Sequence, residues 1–226
     1  MHIEPGVVNG AKLMLSYVTV TGAIGYGAKL ALDTVRQEGF SAVAVRSVIA
    51  TALIFCFFQV FPHYPVGVSE VHLILGSTLF LMFGAAPASI GLALGLLIQG
   101  LFSAPFDLPQ YGMNVTTLLV PLVLVGGLAR RIIPANTAYK DVQYKQCLAL
   151  SAAYQGGVVA WVAFWAFYGQ GFGAENLANV GIFGIAYMSV IVIEPLADLA
   201  VLGAAKALHP LADNSVFHSR LYRAVA

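Results

Sequence analysis

Long runs of apolar residues, separated by short polar connections, organise this chain. The runs lie at about 8–32, 41–61, 71–84, 86–103, 113–129, 146–168 and 177–205. A bilayer-crossing helix needs about 20 apolar residues, so the pattern predicts an all-α integral membrane protein with about seven transmembrane helices. The stretch from Val71 to Phe102 is interrupted by Gly84 and Pro87, which predicts a tight helical hairpin or a partly re-entrant element. The last run carries Glu194, Pro195 and Asp198. Proline removes a backbone hydrogen bond, so a break or bend is expected there. No stretch reads as a second domain, and residues 1–226 are read as one transmembrane unit with a cytoplasmic tail from about 206 to 226.

Charged positions give this pattern an orientation. Lys29, Arg36 and Arg46 flank the first connection, Arg130, Arg131, Lys140 and Lys145 the fifth, and Lys206, Arg220 and Arg223 belong to the tail. With seven crossings, every basic residue except Lys12 falls on one side, which the positive-inside rule makes cytoplasmic. The N-terminus is then outside, together with the connections at about 62–70, 104–112 and 169–176. These carry Glu4, Glu70, Asp107 and Glu175 without Lys or Arg, so the outer face favours cations. His2, His63 and His72 fall there too, whereas His209 and His218 lie in the tail.

Composition removes several function classes. Charged residues make up 9% and hydrophobic residues 59%, against about 25% charged in soluble domains, which excludes a water-soluble domain. A net charge of +1 offers no nucleic-acid face. Cys56 and Cys147 sit in separate apolar runs without CxxC spacing, so both read as packing residues rather than a disulfide or thiolate metal site. The chain has no GxxxxGK[ST] phosphate loop, hence no ATPase of its own, and no HExxH zinc motif. It is read as a non-enzyme.

The opening MHIEPGVVNG lacks the basic n-region of a signal peptide, so the chain is expected to begin with a free amine on Met1. In a Met-His start, that amine, the His2 backbone nitrogen and the His2 Nδ1 can close adjacent five- and six-membered chelate rings around one ion. A fourth nitrogen from another histidine would complete a planar site of the kind associated with Cu(II) or Ni(II), whereas structural zinc prefers a tetrahedron. The other reading of His2 is an exposed residue on a frayed terminus. A second histidine-bearing segment, YPVGVSEVHLILG at 64–76, on the same predicted face, weighs against it.

The start MHIEPG together with PVGVSEVHLILG, the glycine-rich hairpin that follows and the Gly112-Met113-Asn114 turn resembles the CbiM/NikM family. Members of that family are the substrate-capture subunits of energy-coupling-factor cobalt and nickel transporters. The resemblance implies a planar nitrogen site made by the Met1 amine, the His2 backbone and imidazole nitrogens, and His72. It implies that Asn114, like Ser69 and Glu70, orients ligands or fixes the loop, with an axial oxygen or a cation-attracting charge as further readings of Glu70. It also implies a transmembrane coupling subunit, a pair of ATPase subunits and a small accessory membrane protein as partners, in a bacterial cytoplasmic membrane. Co2+ or Ni2+ would be the cargo, with no resident cofactor. One departure is the run Glu4-Pro5-Gly6-Val7, where the family usually has PDGF or MEGF.

Other residues invite a role. His63 is an auxiliary ligand or an interfacial residue beside an aromatic belt. Glu194 is the acid deepest in an apolar run, and such groups are functional candidates; alternatively Glu194, Pro195 and Asp198 mark a bent helix and satisfy its freed backbone groups. Ala23, Gly27 and Ala31 form a small-residue stripe that serves internal packing or docks a partner helix. Trp161, Phe164, Trp165, Phe167 and Tyr168 read as lipid or interface anchors. The alternative to metal capture is a haem-binding or structural subunit of a membrane oxidoreductase, but haem between helices needs a mid-span histidine, and none of the five histidines lies mid-span.

Overall fold

The computed structural model describes residues 2–207. Met1 and the predicted tail, with His209 and His218, lie outside the described residues. Each predicted apolar run contains a helix, although the run at 71–84 is helical only from residue 76: α1 (Leu13–Glu38), α2 (Phe40–Gln59), α3 (Gly76–Phe83), α4 (Ala85–Phe102), α5 (Tyr111–Ile132), α6 (Tyr144–Gln170) and α7 (Ala174–Ala207). Between α2 and α3 a two-stranded antiparallel hairpin, β1 (Tyr64–Val66) and β2 (Ser69–Val71), pairs Tyr64 with Val71. Gly67 supplies the positive φ of its turn, 63°, as two-residue hairpin turns require. It seats that turn against Asn179 of α7, where a Cβ would collide with the backbone.

Five helical segments are long and apolar enough to cross a membrane: α2, α4, α5 with the 3-10 turn before it, α6 and α7. This is an all-α, multi-pass membrane protein. The 26 residues of α1 give about 39 Å of helix, ample length, although serines, threonines and glycines dilute its apolar character. By contrast α3 has 8 residues, about 12 Å, far short of a hydrocarbon core of about 30 Å. The run at 71–84 is therefore not a full helical span, and α3 and α4 meet at Gly84 (φ 90°).

What completes that crossing is extended chain. Gly67 lies beside Asn179, and the Ile74 amide bonds to Glu194, fifteen residues (194 minus 179) further along α7, or about 22 Å of helix. Seven residues from 67 to 74 reach about 23 Å when extended, so the chain can span this length alongside α7 without helix. Leu75 then adopts φ 55°, a left-handed conformation that costs a non-glycine residue on the order of 1 kcal/mol or more, and the chain turns into α3. Non-helical backbone inside a bilayer survives only when buried in protein. Ile74 is fully buried, and its amide finds a side-chain acceptor.

Of the break or bend expected in α7, the break is absent: the helix is continuous from Ala174 to Ala207 through Pro195. Glu194 and Asp198 do not repair their own helix; both accept hydrogen bonds from residues 74–78. The closest helix pair is α2 with α4, where Cβ atoms at Gly91 and Gly95 would stand 2.6 and 2.5 Å from Ala50 Cβ and Ile54 Cγ2. That GxxxG spacing lets the backbones touch. In the α1 stripe, Ala23 packs on the core and Gly27 faces Ser89 of α4. Trp165 is wholly buried rather than lipid-facing, and Trp161 bonds through Nε1 to Thr116 at 3.2 Å.

Candidate metal-capture site at the N-terminal end of the bundle

The chain start is built into the fold by main-chain pairing. Ile3 forms a bridge with Ser69 of β2, with Glu70 N donating to His2 O (2.9 Å) and Glu4 N to Val68 O (3.1 Å). The Ser69 hydroxyl also donates to His2 O at 2.8 Å, and the Ile3 amide donates to Asn114 Oδ1 at 2.8 Å. Thus Ser69 and Asn114 fix the segment on both sides of His2. Lys12, the one basic residue predicted on this side, donates to the Gly169 carbonyl at the end of α6 (2.8 Å), where the helix dipole favours a cation. The N-terminal segment, β2, the connection before α5 and the end of α6 therefore share one end of the bundle.

His2 is buried at 3% exposure and so is His72, which removes the frayed-terminus reading. Their rings stand 6.3 Å apart between centroids. Gln99 of α4 donates to the Phe58 carbonyl (3.3 Å), which turns its Oε1 to His2 Nε2 at 2.8 Å. An amide oxygen only accepts, so the network assigns the proton to Nε2 and leaves the lone pair on Nδ1. Asp107 Oδ2 lies 2.9 Å from that Nδ1. The contact is close but lacks hydrogen-bond alignment, and Nδ1 is buried without a hydrogen-bond partner.

His72 repeats the arrangement with the nitrogens exchanged. Its Nδ1 faces the Leu73 carbonyl at 3.2 Å, so Nδ1 carries the proton and Nε2 the lone pair. That Nε2 is also buried and unpartnered. The Phe58 ring packs edge-on against His72 at 4.6 Å, so one residue steadies His72 with its ring and Gln99 with its carbonyl. Unpartnered polar atoms are scarce in native interiors, and two lone-pair nitrogens on neighbouring rings form a pair of donors awaiting an acceptor.

The surroundings are acidic. Besides Asp107, Glu70 Oε2 lies 3.9 Å from His2 Nε2, on the far side of the ring from Nδ1. Burial, then the nearby charges of Glu70 and Asp107, push the Glu4 carboxyl above its usual range, opposed only by His2. Glu4, Glu70 and Asp107 make this end of the bundle an acidic cup that attracts cations. His63 bonds back to the Phe61 carbonyl of its own turn (3.1 Å) and joins none of these contacts. Among the described residues, no three His, Cys, Asp or Glu side chains converge as a metal-binding group.

Gln99 and Asp107 were not singled out as site residues from the sequence. The signal for Gln99 was an amide inside an apolar span, where a polar group needs a partner. Asp107 was visible only as one acid among several on the same face.

Residues 2–212 match the CbiM family, described as a cobalt uptake substrate-specific transmembrane region. The chain belongs to that family. It is accordingly a multi-pass membrane protein. A Haemophilus influenzae protein provisionally named a metal transport protein is 27% identical over 143 residues, covering 62% of this chain and 63% of the relative. The chain thus spans less than two thirds of that relative's length. Two crystal structures share the fold. A transition metal transporter superposes with TM-score 0.65 at 17% identity, covering 98% of each chain. A truncated transition metal transporter gives 0.63 at 16%, covering 92% of this chain and 97% of its own.

Proposed function

We propose that this CbiM-family chain captures Co2+ or Ni2+ through four nitrogens: the Met1 amine, the His2 backbone nitrogen, His2 Nδ1 and His72 Nε2. The observation that carries the reading is the pair of buried imidazole nitrogens, His2 Nδ1 and His72 Nε2, neither with a hydrogen-bond partner. Since side chains alone supply no three-ligand group among the described residues, main-chain nitrogens are the natural source of the other two donors, and a Met-His start offers them in chelating register. Glu70 stands on the Nε2 side of His2 and contributes charge, whereas Asp107, on the Nδ1 side, is placed to offer an axial oxygen.

The N-terminal end of the bundle then faces outward, as the basic residues at the other end require. The acidic cup raises the local cation concentration. With no phosphate loop in the chain, a transmembrane coupling subunit, a pair of ATPase subunits and a small accessory membrane protein complete an energy-coupling-factor transporter. A plane of four nitrogens including a deprotonated amide suits Ni(II) by geometry, while the family description speaks for cobalt, so both ions belong in the test.

The test is isothermal titration of Co2+, Ni2+ and Zn2+ into protein beginning at Met1 and into protein with one residue added before it. The extension turns the amine into an amide and should abolish tight binding of Co2+ and Ni2+, while a C-terminal tag should be harmless. Full affinity in the extended protein would refute the site.

A further inference from the structure

We propose that Glu194 is a positioning residue for His72, acting through the main chain; this rests on the nitrogen-site reading above. Its carboxylate is fully buried. Oε1 accepts from the peptide N–H groups of both Ile74 and Leu75, the latter at 3.1 Å. Oε2 accepts from Gln155 of α6, whose own Oε1 takes the Tyr187 hydroxyl at 2.7 Å. The acceptor is therefore fixed by two helices, and it grips the chain two residues beyond the ligand, where the extended segment bends at Leu75.

Capping α3 does not account for Glu194. Asp198, one turn further along α7, accepts only from the side-chain hydroxyls of Ser77 (2.6 Å) and Thr78. Glu194 takes the main-chain amides of Ile74 and Leu75, which precede the first helical residue, Gly76. Without that acceptor two amide N–H groups would be left unpaired, and the left-handed conformation at Leu75 would lose the contact that maintains it. The segment would shift to find new partners and carry His72 with it. Metal–nitrogen bonds tolerate only about 0.2 Å, so a small shift suffices to remove His72 from the plane.

The experiment compares Ni2+ and Co2+ binding, by titration and by the visible absorption of the bound Ni2+, in the full chain beginning at Met1 and its variants. Planar four-nitrogen Ni2+ is diamagnetic and absorbs as such; loss of the His72 nitrogen admits water and changes the spectrum. Glu194→Ala should weaken binding about tenfold or more and give the spectrum of His72→Ala. Glu194→Gln should stay within about threefold with an unchanged spectrum, because its amide oxygen still accepts and Gln155 can turn over against a Tyr187 hydroxyl that accepts as well as donates. Glu194→Asp, which keeps the charge but withdraws the acceptor, should resemble the alanine variant and decides the matter if Glu194→Ala does not fold. Asp198→Asn should lower thermal stability and leave the spectrum alone. A planar spectrum retained in Glu194→Asp, or lost equally in Glu194→Gln, would overturn the role. Absence of that spectrum in the unaltered protein would refute the nitrogen site itself.

Discussion

Replacing Gln99 by leucine tests the tautomer argument directly. The substitution keeps roughly the volume of the side chain but removes the oxygen 2.8 Å from His2 Nε2. To present Nδ1 to an ion, His2 must then bury its Nε2 proton without an acceptor, or hold that proton on Nδ1 beside Asp107 and give it up on binding. Leaving a buried donor unsatisfied costs about 1–3 kcal/mol, and every 1.4 kcal/mol is tenfold in affinity, so metal affinity should fall roughly 5- to 150-fold. The Phe58 carbonyl also loses its donor, yet it does so in the free and bound protein alike, and that loss cancels from the binding constant. Gln99→Glu, which retains an acceptor at the same reach, should bind within a few-fold of the unaltered protein. Titration with Co2+ and Ni2+ should show one site per chain in every case, with the loss in affinity alone. Affinity within twofold of normal in Gln99→Leu would refute the proposition that Gln99 sets the tautomer.

Asp107→Asn should weaken Co2+ and Ni2+ binding more than Glu70→Gln does, because only Asp107 stands beside the coordinating nitrogen; equal losses in parallel titrations would remove the distinction. For Glu4 the folded-state shift is upward, so its contribution to stability is present below the ordinary value of 4.5 and is lost as pH rises through the higher folded value. Glu4→Gln should therefore raise the melting temperature of metal-free protein at pH 7 and leave it unchanged near pH 4; no gain at pH 7 in a thermal melt would contradict the acidic-cup electrostatics. Gly95→Leu should separate α2 from α4 and destabilise the bundle by about 1–3 kcal/mol or more, seen as a lower melting temperature in detergent with the metal site's stoichiometry intact.

The helices were legible because each is an apolar run bounded by charge or by Gly and Pro, and the histidine pair because chelation by a Met-His start depends on sequence position. What the sequence concealed depends on contacts across long separations. The strands at 64–66 and 69–71 are three residues each, too short for alternation to register, and they exist because the chain start pairs with one of them. The half-length of α3 follows from the turn at Leu75, a residue with no local preference for that conformation. Ala23, Gly27 and Ala31 advertised a small-residue face, yet the closest approach uses Gly91 and Gly95, since periodicity cannot say which neighbour a face will meet. Trp165 looked like an anchor by composition and is core by position.

The grip of α7 on residues 74–78 also governs how the protein is made. Ile74 and Thr78 find their acceptors 120 residues later in the chain. When α3 leaves the ribosome it is a helix of about 12 Å, preceded by extended backbone whose amides have no partner, and a bilayer offers them none. The first and last helices can enter the membrane as they are synthesised, but the hairpin of α3 and α4 reaches its final depth only once α7 has been inserted beside it. The backbone beyond His72 is therefore anchored among the last events of biogenesis, and a chain truncated before Glu194 would keep the pairing of His2 with β2 but lack the acceptor for the amides of Ile74 and Leu75.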